Sequence, residues 1–196
     1  GYLQDVKIDD SQIEQLQYNL LMSHACGIGE MVPQSIVKLM LALKVKSLSY
    51  GHSGVQNTTV QRLIDLHNHR LYPIIYTQGS LGASGDLAPL SHLCLPLIGM
   101  GKIWKNEQAQ DAALLHQQYG WEPIHLQSKE GLALINGTQF MSAYGIWCLI
   151  KAERLLQWAD YISCLSADAF LCNTQPFSEQ IHRIRPHKGQ IKTANK

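Results

Sequence analysis

The sequence predicts a mainly α-helical chain built from long helices, with at most a short β-hairpin near residues 102–110. Three observations lead there. Apolar residues recur at steps of three and four along most of the 196 residues. Glycines and prolines separate those runs at the places where helices stop and start. The most apolar long stretch, residues 131–150, reads as a buried helix.

In chain order, Asp10 or Ser11 can cap a first helix whose apolar stripe runs Ile13, Leu16, Leu20 and on to His24, with Gly27 and Gly29 stopping it. Pro33 suits the first turn of a second helix carrying Ile36, Val37, Met40, Leu41, Leu43 and Val45. Apolar residues on more than one of its faces predict burial on several sides. After a break at residues 51–54, a third helix passes through Val60, Leu63, Ile64 and Leu66, and Pro73 ends that segment. Residues 76–85 are too rich in Gly and Ser for a regular helix. Residues 87–98 read as a helix that tolerates Pro89 in its first turn. Polar residues 102–110 form a hairpin or loop. Helices follow over about 130–156 and 158–172, and the basic tail after Pro176 reads as a solvated connection.

Composition excludes several functions. Lys plus Arg number 16 and Asp plus Glu 15, so the net charge of +1 exerts no general pull on nucleic-acid phosphate. Hydrophobic residues at 45% exclude disorder. Charged residues make up 16% against roughly 25% in an average domain, which implies surface covered by partner subunits or by more of the same chain. The start at Gly1 without Met and the polar end at Lys196 point to an internal piece of a longer protein. With no basic n-region and apolar core at its start, no signal peptide is expected. Asn136, Thr138, Gln139 and Ser142 in the most apolar stretch argue against a membrane span. Cys26, Cys94, Cys148, Cys164 and Cys172 are odd in number and scattered, a reducing-compartment pattern that predicts a cytoplasmic location. His67 and His69 on a helix end would point about 200° apart, a poor start for a metal site.

Chemistry concentrates in residues 79–90, Gly-Ser-Leu-Gly-Ala-Ser-Gly-Asp-Leu-Ala-Pro-Leu. Without a side chain, Gly85 can bring its amide nitrogen close to the carbonyl carbon of Ala83. Closing that bond gives a five-membered ring. Loss of one water from the ring and one from Ser84 leaves an exocyclic methylidene, a strong electrophile. Nearby helix N-termini would favour electron flow into it. The same small residues also suit a plain turn with a helix cap, or a phosphate cradle. The cradle lacks the Gly-Lys-Ser/Thr ending and a preceding strand.

The order of these residues closely resembles the signature of the aromatic amino acid ammonia-lyases, whose Ala-Ser-Gly forms 4-methylidene-imidazol-5-one, MIO. Two further segments carry the resemblance: Ser-His-Ala-Cys-Gly-Ile-Gly at 23–29 and Glu-Gly-Leu-Ala-Leu-Ile-Asn-Gly-Thr-Gln at 130–139. The tail around Ile181-His182 and Gly189-Gln190-Ile191 fits too, so the resemblance runs through essentially the whole chain. It implies the family's long-helix bundle, MIO built from Ala83, Ser84 and Gly85, and no external cofactor or metal. Asp86 then assists ring formation, although alone it reads as a helix N-terminal charge worth about 0.3–1 kcal/mol. Asn136, otherwise a buried amide stabilising helix packing, then lines the site near the ring. His24, otherwise a satisfied core histidine, becomes with Ser23 the substrate-facing pair. Ser-His resembles the pair of histidine-selective members, where a polar pocket rejects apolar rings. Tyrosine-selective members carry His-Leu there, and phenylalanine-selective ones Phe-Leu.

The resemblance implies conversion of L-histidine to trans-urocanate and ammonia, a step of histidine catabolism, in a homotetramer with shared active sites. It also implies that residues 1–196 are a central fragment. The catalytic Tyr loop (Tyr-Gly-x-Asn-Thr-Gly-Phe-Gly) would lie just before Gly1, and the Arg and second Tyr of the C-terminal helical part would lie downstream. The fragment alone is then expected to be inactive. A tyrosine ammonia-lyase or aromatic aminomutase is the alternative within the family. A non-catalytic lyase-like scaffold is the alternative outside it, and the intact Ala83-Ser84-Gly85 speaks against that.

Overall fold

The computed structural model describes residues 8–196, and the chain divides into two units, Gly1–Gly145 and Ile146–Lys196. In the first unit a 3-10 turn over Asp10–Gln12 leads into α1 (Ile13–His24). Asp9, rather than Asp10 or Ser11, caps that turn, its carboxylate accepting from the Ser11 amide at 3.0 Å. The buried face of α1 is rotated from the expected stripe. Gln17 and Leu21 are buried, Ile13, Leu20 and His24 half-buried, and Leu16 is 42% exposed. Gln17 turns inward because its side-chain carbonyl accepts from the buried Gly131 amide at 3.0 Å, a pairing that hydropathy cannot register.

After β1 (Ile28–Met31), Pro33 stands just outside α2 (Gln34–Leu48) as its N-cap. The fully buried residues of α2 are Ile36, Val37, Met40, Leu41, Lys44 and Leu48. They form one stripe at steps of one, three and four, so the helix is buried on one face, with Leu43 and Val45 as half-buried shoulders. Helix α3 (Asn57–Asn68) packs on α2 and ends before Pro73, where Arg70 takes a left-handed φ of 56°. Pro73 instead lies in β2 (Tyr72–Pro73), followed by β3 (Tyr76–Gln78).

Helix α4 (Leu87–Cys94) holds Pro89 in its first turn, and a 3-10 turn over Leu95–Ile98 continues it to Gly99. The expected hairpin is present as β4 (Lys102–Lys105) and β5 (Gln108–Asp111). Asn106 and Glu107 between them both have positive φ, 49° and 63°, as a tight two-residue hairpin turn requires. Strands β2, β4 and β5 make one antiparallel sheet, and β1 pairs antiparallel with β3 in another.

Helix α5 (Ala112–Tyr119) ends at Gly120. The expected helix over 130–156 is two helices, α6 (Glu130–Ile135) and α7 (Gln139–Ala169), because Asn136 turns extended and Gly137 follows it. Helix α7 then runs unbroken where a second helix from 158 was expected. Helices α1, α4 and α6 pack against one another and make the core that carries the site. In the second unit the tail is helical rather than a bare connection, with α8 (Glu179–Ile184) and α9 (Lys188–Ala194). His182 is buried there, its Nδ1 accepting from Gln190 Nε2 at 2.8 Å. No helix of the described residues is long and apolar enough to cross a membrane.

Candidate active site

Two strands bring the first two motifs together. Pairing of β1 with β3 places Ile28 opposite Gln78 and Met31 opposite Tyr76, so the segment after α1 runs beside the loop that leads to Ala83. The two segments touch at glycines: Gly79 has φ +136°, and a Cβ there would lie 3.1 Å from the Gly27 Cα. His92 on α4 fastens the crossing. Its Nε2 accepts from the Gly27 amide at 3.0 Å, so the proton of the neutral ring sits on Nδ1, and burial holds its pKa below the ordinary value.

The result is a cleft of about 240 Å³ lined by Ser23, His24, Gly79, Ala83, Ser84 and Gly85, among others. The loop is open, with Ala83 and Ser84 exposed and Leu81 95% exposed. His24 Nδ1 lies 2.8 Å from the Leu20 carbonyl, which can only accept, so Nδ1 carries the proton. Ser23 Oγ donates to the same carbonyl at 3.1 Å and lies 3.2 Å from His24 Nδ1. Nε2 is therefore the ring nitrogen left free for a partner in the cleft. His24 is half-buried, so it is not a satisfied core histidine.

Gly85 is gripped from the other side by the third motif. With φ +96° it occupies a conformation open to glycine, and a Cβ would lie 2.6 Å from the Gly137 carbonyl oxygen and 2.9 Å from the Gly137 nitrogen. Asn136 Oδ1 is 3.3 Å from the same point. Asn136 is exposed and follows α6 rather than lying buried within a helix, and it abuts Gly85 without being among the residues that line the cleft. The next residue completes the grip, the Asp86 amide donating to the Gly137 carbonyl at 2.7 Å.

Asp86 is fully buried and links two helix N-termini. It is the N-cap residue of α4, but its side chain makes no capping bond there. One carboxylate oxygen accepts from Ser80 Oγ at 3.1 Å, the other from the Met141 amide at 3.0 Å. Met141 lies in the first turn of α7, where amides lack helical partners, so Asp86 caps the neighbouring helix instead.

Supporting residues that sequence reasoning missed lie one layer back. Glu130 is fully buried and accepts from the Gln56 amide (2.7 Å), Gln56 Nε2 (2.6 Å), Thr59 Oγ1 (2.9 Å) and the Gln127 amide (2.7 Å). Lys44 Nζ, also buried, donates to the Ala133 carbonyl at 2.8 Å. A signal for Lys44 exists: it stands four residues after Met40 and four before Leu48, on the apolar stripe of α2. His67 and His69 do not converge on a metal. His69 is the C-cap of α3, its Nδ1 donating to the Asp65 carbonyl at 2.8 Å and its ring against Tyr119 and Trp121. Among the described residues, no three His, Cys, Asp or Glu side chains are grouped to hold a metal.

Comparison with known proteins agrees in sequence and in fold. The family described as "Aromatic amino acid lyase" matches residues 1–196. The chain is 44% identical over 195 residues to a histidine ammonia-lyase of Chloroflexus aurantiacus, covering 99% of this chain and 37% of that protein. The crystal structure of histidine ammonia-lyase from Trypanosoma cruzi superposes with a TM-score of 0.91 at 40% identity, over 98% of this chain and 38% of that one. A tyrosine aminomutase structure from Streptomyces globisporus gives a TM-score of 0.89 at 37% identity, over 96% of this chain and 36% of that one. The chain thus spans under two-fifths of the length of the relatives it matches. With a family match along its whole length and a long-helix fold shared with these structures, the chain belongs to the aromatic amino acid lyase family.

Proposed function

We propose that the full-length protein is a histidine ammonia-lyase that converts L-histidine to trans-urocanate and ammonia. The observation that carries this reading is the shared cleft: Ser23 and His24 line the same 240 Å³ space as Ala83, Ser84 and Gly85. An imidazole ring meets there a polar pair whose histidine has Nδ1 taken up by the Leu20 carbonyl and keeps Nε2 free for the substrate. An apolar ring would leave that pair unsatisfied.

The residues around Gly85 fit an MIO group formed from Ala83, Ser84 and Gly85. The space beside Gly85 admits no Cβ, so the backbone can be pressed toward ring closure with nothing between it and Gly137. When formed, the group supplies an electrophile that makes the substrate amine a better leaving group. The chain's own residues do the rest of what can be derived. Asp86 is held by Ser80 and Met141, and its carboxylate beside Gly85 serves ring formation rather than turnover. The Asn136 amide, its Oδ1 3.3 Å from the point a Cβ on Gly85 would take, holds polar atoms of the ring or of the substrate amine. Ser23 and His24 orient the imidazole.

We place the base that removes the β-proton, and the residues that hold the substrate carboxylate, in the part of the protein outside these 196 residues. Residues 1–196 alone are then inactive, a central fragment of the fold. A homotetramer is supported by the run of exposed apolar residues on α7, among them Leu149, Leu155, Trp158 and Leu165. A cytoplasmic location is supported by five free cysteines.

The test is urocanate absorbance from full-length protein with L-histidine, run beside coumarate absorbance with L-tyrosine. Preferred turnover of histidine is expected. The likeness to a tyrosine aminomutase at 37% identity makes tyrosine the second reading, and faster turnover of tyrosine would replace the first with it.

A further inference from the structure

Lys44 is 1% exposed, yet no carboxylate lies within ion-pairing distance of it among the described residues. Burying an amine without a counter-ion is costly and pushes its pKa below the ordinary value, and a residue used only for packing would be apolar like Met40 and Leu48 on the same stripe. Its partners are main-chain carbonyls at the end of α6: Ala133 at 2.8 Å and, more loosely, Asn136 at 3.5 Å. The negative end of that helix takes the place of the missing anion.

The Asn136 carbonyl is one edge of the peptide that joins Asn136 to Gly137, and the Gly137 amide is the other. A planar trans peptide sends these two groups in opposite directions. Holding the carbonyl at Lys44 therefore aims the amide the other way. There, the Gly137 nitrogen lies 2.9 Å from the position a Cβ on Gly85 would take, and the Gly137 carbonyl accepts from the Asp86 amide. The rest of α6 is held as firmly. The Asn136 amide donates to the Leu132 carbonyl at 2.9 Å, the Cys94 thiol reaches the Leu134 carbonyl at 4.0 Å, and Glu130 anchors the first turn. Cys94 stays a thiol, since burial pushes it up to about 12.

We propose that Lys44 is a positioning residue for the site: by holding the end of α6 it sets the Asn136–Gly137 peptide against Ala83-Ser84-Gly85, where the ring must close. The inference rests on the lyase reading for its activity readout and on MIO for its mass readout, but not for its exchange readout.

The experiment compares Lys44→Met, Lys44→Gln and Lys44→Arg with Met40→Ala in the full-length protein. Met40 is equally buried on α2 one turn earlier, so its truncation loosens the packing without touching the peptide. Three quantities are read: the two-water mass loss of the peptide spanning residues 83–85, kcat and KM for histidine, and hydrogen exchange at the Asp86 amide. Lys44→Met and Lys44→Gln are expected to retain both waters in most of the protein or to lower kcat about tenfold or more with KM little changed. Exchange at Asp86 rises by a similar factor, and Lys44→Arg restores all three toward wild type. Met40→Ala loses melting temperature but keeps its mass loss and its exchange. Full mass loss with unchanged exchange in Lys44→Met overturns the proposal. So does failure of both uncharged variants to fold while Met40→Ala folds, which makes Lys44 a purely structural residue. If the wild type itself shows no mass loss, the MIO reading fails, and exchange at Asp86 alone decides the role of Lys44.

Discussion

Gly85 matters through what it lacks. A methyl group there would meet the Gly137 carbonyl at 2.6 Å, and φ +96° would strain any L-side chain. Gly85→Ala is therefore expected to push the Asn136–Gly137 turn away and prevent ring closure. Mass spectrometry of the 83–85 peptide from full-length protein should find both waters retained, with urocanate formation abolished. His92 is a residue at the site whose hydrogen bond depends on pH. Its Nε2 accepts from the Gly27 amide only while unprotonated, and burial lowers its pKa from the ordinary 6.5. Above 6.5 the ring is neutral in both folded and unfolded chains, and its contribution to stability is complete. As pH falls below 6.5 the unfolded chain takes up a proton before the folded one does, so stability is lost in that direction. His116, whose pKa is lowered by burial as well, acts with the same sign. The melting temperature should fall between pH 7 and pH 5. His92→Gln, which keeps an acceptor that cannot titrate, should flatten that fall in part. An unchanged slope in His92→Gln would assign the acid sensitivity to other groups.

At the scale of elements, α6 carries more than its six residues could sustain alone, since so short a helix is unstable in water. Glu130 ties its start to α3 and to the preceding loop, and Gln17 on α1 accepts from its second amide. Glu130→Gln puts an amide donor where four donors now meet two acceptor oxygens. The expected cost is about 2–4 kcal/mol, read from the urea midpoint of the full-length protein, because buried donors lose their partner. Asp86 does the corresponding work for α7 from outside that helix, bonding the Met141 amide. The helix stripes were partly legible beforehand. The residues of α2 were readable but their register was not, since Lys44 hid a single-faced stripe behind its charge. On α1, Leu16 fitted the apolar stripe and Gln17 did not, yet Gln17 is the buried one because it finds the Gly131 amide. The break between α6 and α7 was hidden by an apolar run that continues across it.

For the whole molecule, α7 presents Leu155, Leu156, Trp158, Tyr161 and Leu165 to solvent, a run of large apolar side chains that a lone chain would not leave open. The low charge of the sequence has its counterpart there. If the homotetramer we propose packs through this run, Leu155→Arg with Leu165→Arg in the full-length protein should break it up, read as a fall in molar mass by light scattering. An unchanged mass would assign the cover of this run to more of the same chain instead of a partner subunit.

By itself the sequence determined the chemistry on offer: Ala83-Ser84-Gly85 in a loop before a helix, Asp86 after it, Ser23-His24 and Asn136 in two other motifs, and mainly helical segments between them. These were legible because each depends on residue type and short-range order. Only the tertiary structure decided that Ser23 and His24 share one cleft with Ala83, Ser84 and Gly85 while the third motif abuts Gly85, that Asp86 caps α7 rather than α4, and that Lys44, Glu130 and His92 hold the parts in place. Those facts rest on pairings between residues 55 to 92 positions apart, most of them polar and buried, for which a hydropathy pattern carries no mark.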